Sequence, residues 1–219
     1  MIQPPDRVDD LAGLRVAARS RSAEPGVEIG GDWYLSARLP GGDVFLAIGD
    51  SVGHGLRAAE SMLRLRFAMS AFAAEGHRPA TVLTRLNALM CWSGSGMTAS
   101  AAAARYSPHD GMLTWANAGH LPLLLAGRRV RQLPDPEGML LGVAPSTRYT
   151  QCVERLEPGD MMLMYTDGLI PHGKSIDDGV RVLLKLLAGT SRTPEVLLDG
   201  LDYHASHDDA TALAIHRVS

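Results

Sequence analysis

The 219-residue sequence predicts an α+β sandwich, two mainly antiparallel sheets covered by helical layers. One observation carries that reading, and a second points to the site. Strand-like and helix-like runs come in blocks rather than in strict βαβ alternation. Several apolar runs also end in an aspartate set among glycines or polar residues: Gly30-Gly31-Asp32, Ile48-Gly49-Asp50, Tyr165-Thr166-Asp167-Gly168 and His207-Asp208-Asp209. Val44 to Ile48 and Met161 to Tyr165 read as buried strands that deliver a carboxylate at their tips. A hydrophobic content of 46% can fill the core of one domain of this size.

Residues 1–12 are polar and carry prolines, and are expected to form an N-terminal extension to a domain over 13–219. A first strand is expected over 14–18, followed by a Ser-, Pro- and Gly-bearing loop over 19–26. Residues 29–39 and 43–48 form a predicted hairpin around the Pro40-Gly41-Gly42 turn, which leaves Asp32 and Asp50 at the same end. From 56 to 74 the residues Leu56, Ala59, Met62, Leu63, Leu65, Met69 and Phe72 recur at helical spacing, with the charged side chains largely off that face. Gly76 closes this helix, Pro79 opens a second one through Val82, Leu83, Leu86, Leu89 and Met90, and the short link makes the two antiparallel neighbours. Short strands are then expected at 98–106, 112–118, 122–125, 130–133, 149–156 and 161–165. Helices over 180–187 and 194–201 and a last strand over 211–216 complete the chain.

A formal charge of −3 without a basic cluster gives no electrostatic footprint for nucleic acid or an anionic membrane. Cys91 and Cys152 stand far apart without metal-ligand spacing, which fits a reducing compartment, with the cytoplasm as the default. No apolar run approaches the ~18 residues that a membrane span requires.

A single aspartate at a strand end is usually a turn former or a helix cap. Four that meet at one end repel one another, and a cation relieves the repulsion. Hard ions such as Mn²⁺ or Mg²⁺ take oxygen ligands, and the glycines beside these carboxylates leave room for a main-chain carbonyl, that of Ser51, to join them. Two cations bridged by Asp50 would acidify a shared water and polarise a phosphoryl oxygen, so phosphoester hydrolysis follows.

The ordered motifs Glu28-Ile-Gly-Gly-Asp-Trp-Tyr34, Gly49-Asp-Ser-Val-Gly-His-Gly-Leu-Arg-Ala-Ala59 with Met62, Ala116-Asn-Ala-Gly-His120, Leu141-Gly-Val143, Leu156-Glu-Pro-Gly-Asp160, Tyr165-Thr-Asp-Gly168 and Asp208-Asp-Ala-Thr211 carry a resemblance. The chain resembles the PPM family of metal-dependent, protein phosphatase 2C-like enzymes, and within it the bacterial SpoIIE/RsbU-type branch, over about residues 12 to 218. The resemblance implies a four-layer αββα sandwich with two Mn²⁺ or Mg²⁺ ions at one edge, hydrolysing phosphoserine or phosphothreonine on a protein. It implies that Asp50 bridges the ions, that Ser51 offers its backbone carbonyl, and that Asp32, Asp167 and Asp208 are the remaining ligands, with Asp209 in support. The implied substrate is a phosphorylated anti-sigma-factor antagonist in partner-switching or stress signalling, under a regulatory domain or activator. Adjacency through the Gly53-His54-Gly55 turn makes the first long helix a candidate route for a partner's signal to Asp50. Leu35 and Pro171-His172 depart from the acidic residues common at the matching positions of bacterial relatives. The reading from another class is a non-catalytic partner-binding module of the same fold.

His54, His120 and His207 invite a general-acid role, and a positioning role is the plainer reading of the first two. Arg19 and Arg21 are the candidates for a phosphate clamp. Met161, Met162 and Met164 read as core, because alternate residues of a strand face opposite ways.

Overall fold

A computed structural model describes residues 6–23, 30–53, 55–94, 96–189 and 193–218, with the side chain of Leu56 also left out. The strands β1 (Asp6–Leu11), β2 (Leu14–Arg21), β11 (Ala210–Arg217), β10 (Met161–Tyr165), β7 (Leu124–Ala126) and β8 (Val130–Gln132) form one sheet in that spatial order. A second sheet has the order β3 (Asp32–Arg38), β4 (Val44–Ser51), β5 (Ala99–Ser107), β6 (Met112–Ala118), β9 (Cys152–Arg155). Every named strand pair is antiparallel. Helices α1 (Gly55–Ala74) and α2 (Pro79–Ser93) cover the five-stranded sheet, and α3 (Ile176–Gly189) and α4 (Pro194–Asp199) cover the six-stranded one.

The two-residue period of the strands sorts the core into three layers. Tyr34, Leu46, Ile48, Ala102, Ala104 and Trp115 face Val16, Met162, Met164, Leu213 and Ile215 between the sheets. The alternate residues Trp33, Leu35, Phe45, Ala47, Ala101 and Ala103 turn outward onto Met62, Leu65 and Met69 of α1 and Val82, Leu83 and Leu86 of α2. On the other side Ala17, Leu163, Tyr165, Ala212 and Ala214 meet Val180, Leu183, Leu187, Leu197 and Leu198. Each of the fully buried Val82, Leu83 and Leu86 contributes roughly 1.5–3 kcal/mol by leaving water, so the apolar stripe of α2 holds it in place. The three methionines divide as the period requires, Met162 and Met164 between the sheets and Met161 under the helices.

Segment 1–12, expected as an extension, supplies β1, which pairs with β2 along its whole length. Its charged residues carry no apolar signal. They suit an edge strand, where Asp6 accepts from Arg19 at 3.1 Å and Asp10 lies opposite Arg15. The loop expected from residue 19 begins later, because pairing with β11 carries β2 on to Arg21. Helix α3 starts earlier than its apolar period, at a cap in which the Ser175 hydroxyl accepts from the Asp178 amide at 3.1 Å. Among the described residues no helix is long and apolar enough to cross a membrane.

Candidate metal centre

The register of the second sheet places Asp32 directly opposite Asp50, and Asp50 directly opposite Ser100. Tyr34, Ile48 and Ala102 occupy the next positions of the inter-sheet face, so alternation puts Asp32, Asp50 and Ser100 on that same face, where the apolar core ends. In the first sheet Tyr165 lies opposite Ala212, which brings the end of β10 and the start of β11 to one edge. Asp167 follows in a short 3-10 turn, and Asp208 and Asp209 come just before β11.

Hydroxyl groups join the sheets at this edge. Thr166 Oγ1 donates to Asp32 Oδ2 at 2.7 Å and accepts from the Thr211 amide at 2.8 Å. Thr211 Oγ1 meets Ser20 Oγ at 2.7 Å. Asp209 accepts from the Gly31 amide at 2.7 Å and from the Ala23 amide at 2.9 Å, which fixes the approach to β3. Two glycines are needed for clearance. A Cβ on Gly31 would stand 2.8 Å from the Ser51 carbonyl oxygen and 3.4 Å from Asp50 Oδ1, so these two oxygens face the same side of Gly31. A Cβ on Gly168 would stand 2.0 Å from the Asp209 carbonyl oxygen.

The carboxylates crowd negative charge at this edge. Burial, then repulsion from Asp167, Asp208 and Asp209, pushes Asp50 up to about 7. Burial and the neighbouring Asp50 hold Asp32 well above the carboxylate range, against the pull of the Thr166 hydroxyl. Asp167 is raised by the surrounding protein and by Asp208. Among the described residues none of these five forms an ion pair with Arg, Lys or His. The Ser51 hydroxyl is buried and lacks a hydrogen-bond partner among them. Oxygen-only donors, unneutralised charge and a close approach cleared by glycine fit a hard divalent cation. Among the described residues no group of three or more His, Cys, Asp or Glu already stands at metal-holding geometry. The carboxylates are near enough to repel one another without closing on a point.

The other sequence candidates separate. His54 lies outside the described residues. His120 is buried, and both of its ring nitrogens bond groups other than the carboxylates. The exposed His207 ring packs against His172 with centroids 5.3 Å apart. Arg19 is taken up by Asp6, Asp199 and the Leu198 carbonyl, and Arg21 by Asp6, while both guanidinium groups lie over the Tyr203 ring. Both are thus committed to structural partners. The sequence reading missed Ser100, Thr166 and Thr211. Thr166 and Thr211 were visible as hydroxyls beside the aspartates, but nothing in sequence pairs them with Asp32.

Two antiparallel sheets between helical pairs, with carboxylates gathered at one edge, define a protein phosphatase 2C-like domain. The sequence profile described as Stage II sporulation protein E (SpoIIE) matches residues 40–218, and the chain belongs to that family, in its SpoIIE/RsbU branch. It is 29% identical over 169 residues to the phosphoserine phosphatase RsbU of Bacillus subtilis (strain 168), a match that takes in 76% of this chain and 48% of RsbU. The crystal structure of the RsbU and RsbW domains of Rv1364c from Mycobacterium tuberculosis superposes with a TM-score of 0.81 at 26% identity, over 94% of this chain and 62% of that one. RsbX, solved in complex with magnesium, has the same fold with a TM-score of 0.77 at 17% identity, over 96% of this chain and 98% of that one. The chain spans less than half the length of the curated relatives it matches.

Proposed function

We propose that this chain is a divalent-metal-dependent protein serine/threonine phosphatase. The observation that carries the proposal is the cross-strand pair Asp32 and Asp50, set at the end of the core and facing the carboxylates of the opposite sheet without a cationic partner among the described residues. Asp50, Asp32, Asp167, Asp208 and the Ser51 carbonyl are the groups that would hold two Mn²⁺ or Mg²⁺ ions, with Asp50 central among them. Bound there, the ions would lower the pKa of a water for in-line attack on phosphorus and offset charge on the phosphoryl oxygens. The chain's own contribution is orientation. Thr166 holds Asp32 from the opposite sheet, Asp209 anchors the Gly31 backbone, and the exposed Asp167 and Asp208 form the open side through which a phosphorylated side chain approaches.

Family membership and the name of the RsbU relative support a phosphoserine or phosphothreonine substrate, and the magnesium in RsbX supports the ion class. The substrate we assign is a phosphorylated anti-sigma-factor antagonist in a partner-switching pathway, acting in the cytoplasm under a regulatory domain or activator. The two free cysteines and the joining of RsbU and RsbW domains in Rv1364c support that setting. The test is hydrolysis of a phosphoserine peptide with Mn²⁺, with chelator, and with Asp50→Asn. Turnover that needs the metal and is lost in the variant supports the enzyme. Calorimetric silence toward Mn²⁺ and Mg²⁺ overturns it in favour of a non-catalytic binding module.

A further inference from the structure

His120 leaves the end of β6 through Gly119 and enters the space between the sheets beside the carboxylates, but it points at none of them. Its ring Nδ1 lies 2.6 Å from Ser100 Oγ, and its Nε2 lies 3.1 Å from the Tyr165 carbonyl oxygen. A carbonyl oxygen can only accept, so Nε2 must carry a proton. In a neutral ring Nδ1 then holds a lone pair, and Ser100 must donate its hydroxyl proton to it. Burial favours that neutral ring and pushes the imidazole down to about 4.

The two partners are not arbitrary positions. Ser100 is the cross-strand neighbour of Asp50 on the inter-sheet face. Tyr165 ends β10, immediately before Thr166, which holds Asp32, and Asp167. The ring therefore spans from the strand beside Asp50 to the strand that delivers Asp167. Its own backbone is locked as well. The His120 amide donates to Asn117 Oδ1 at 2.7 Å, and Asn117 Nδ2 donates to the His120 carbonyl at 2.8 Å and to Asp135 Oδ1 at 3.0 Å. Asn117 is itself 2% exposed, so the support is buried with the ring.

We propose that His120 is a positioning residue whose neutral, Nε2-protonated imidazole is a strut between Ser100 on β5 and the Tyr165 carbonyl on β10, setting the gap between the carboxylates of the two sheets. The inference rests on reading the acidic edge as the metal centre. It gives the buried histidine of the Asn117-Ala-Gly-His120 motif a role in cation affinity rather than in proton transfer. Outer groups that orient ligands typically govern affinity by 10–100-fold when removed.

The test uses the full chain and Mn²⁺ alone. Nitrogen-15 NMR of the histidine rings at neutral pH should find His120 as the Nε2–H tautomer; a proton on Nδ1 would overturn the strut. Calorimetry should find Mn²⁺ affinity weakened about tenfold in His120→Asn, which cannot reach the Tyr165 carbonyl, and largely restored in His120→Gln, whose amide can. Ser100→Ala keeps the ring and should lose affinity by a smaller factor, which keeps the test open if His120→Asn fails to fold. Leu83→Val, a core change remote from the edge, controls for stability and should leave affinity unchanged. Equal Mn²⁺ affinity in His120→Asn, or in Ser100→Ala where His120→Asn does not fold, overturns the strut alone. A wild-type protein that binds no Mn²⁺ overturns both the strut and the metal reading.

Discussion

Asp43 just precedes β4 and Asp50 stands near its other end, and their surroundings are opposite. Asp43 receives the Arg105 guanidinium of the neighbouring strand at 2.6 Å. The same far end of the sandwich holds the Arg131–Glu154 ion pair across the sheets, and Arg217 caps the Leu156 carbonyl. Asp50 meets Asp32 across the hairpin and has Asp167, Asp208 and Asp209 as its charged neighbours. The fold neutralises acids at one end and gathers them without a cationic partner among the described residues at the other, the arrangement from which the metal centre is proposed. The cost appears in the upward pKa shifts of Asp32, Asp50 and Asp167.

The comparison breaks most visibly at Asp50. Asp50→Asn should fold, bind Mn²⁺ at least about 100-fold more weakly and lose turnover correspondingly, as measured by calorimetry and phosphopeptide hydrolysis. Unchanged binding would show that the acidic edge is not the metal centre.

The next effect sharpens it through pH. Folded Asp50 keeps its proton up to about pH 7, whereas the unfolded carboxyl releases its proton near 3.8. The folded state of the metal-free protein thus binds more protons across that window. Its stabilising contribution is complete below about pH 4 and is lost as pH rises through 7. Urea midpoints in chelator should therefore fall between pH 5 and pH 8 in the wild type, fall less in Asp50→Asn, and recover on adding Mn²⁺.

Thr166→Val removes the hydroxyl that holds Asp32 and should lower stability by about 1–3 kcal/mol in denaturant titration, with weaker Mn²⁺ binding. The smallest effect belongs to the far end. Asp43→Asn breaks a partly exposed ion pair with Arg105 and should lower stability by about 1 kcal/mol or less, leaving Mn²⁺ affinity at the wild-type value. A loss of affinity there would mean that the two ends of β4 are coupled.

Much of this protein is legible in the chain because its central strands are apolar. β6 and β10 have the same bounds in sequence and structure, and the Pro40-Gly41-Gly42 turn fixes the register that sets Asp32 against Asp50. The edge strands are less legible. β1 is charged, β9 is shorter than its β-prone segment, and each is decided by a single neighbour in the sheet. In the candidate site the acidic residues announce themselves as glycine-flanked strand ends, whereas Ser100, Thr166 and Thr211 are ordinary hydroxyls until the sheets are stacked.

The sequence by itself determined the strand and helix blocks, the family, and the four aspartates offered for a metal, because two-residue alternation, helical spacing and ordered motifs are local properties of the chain. The tertiary structure alone decided that Thr166 reaches Asp32, that both candidate arginines are spent on ion pairs, and that His120 joins Ser100 to Tyr165. Those contacts cross between strands far apart in the chain, and only the packing of one sheet on the other brings their donors within reach of their acceptors.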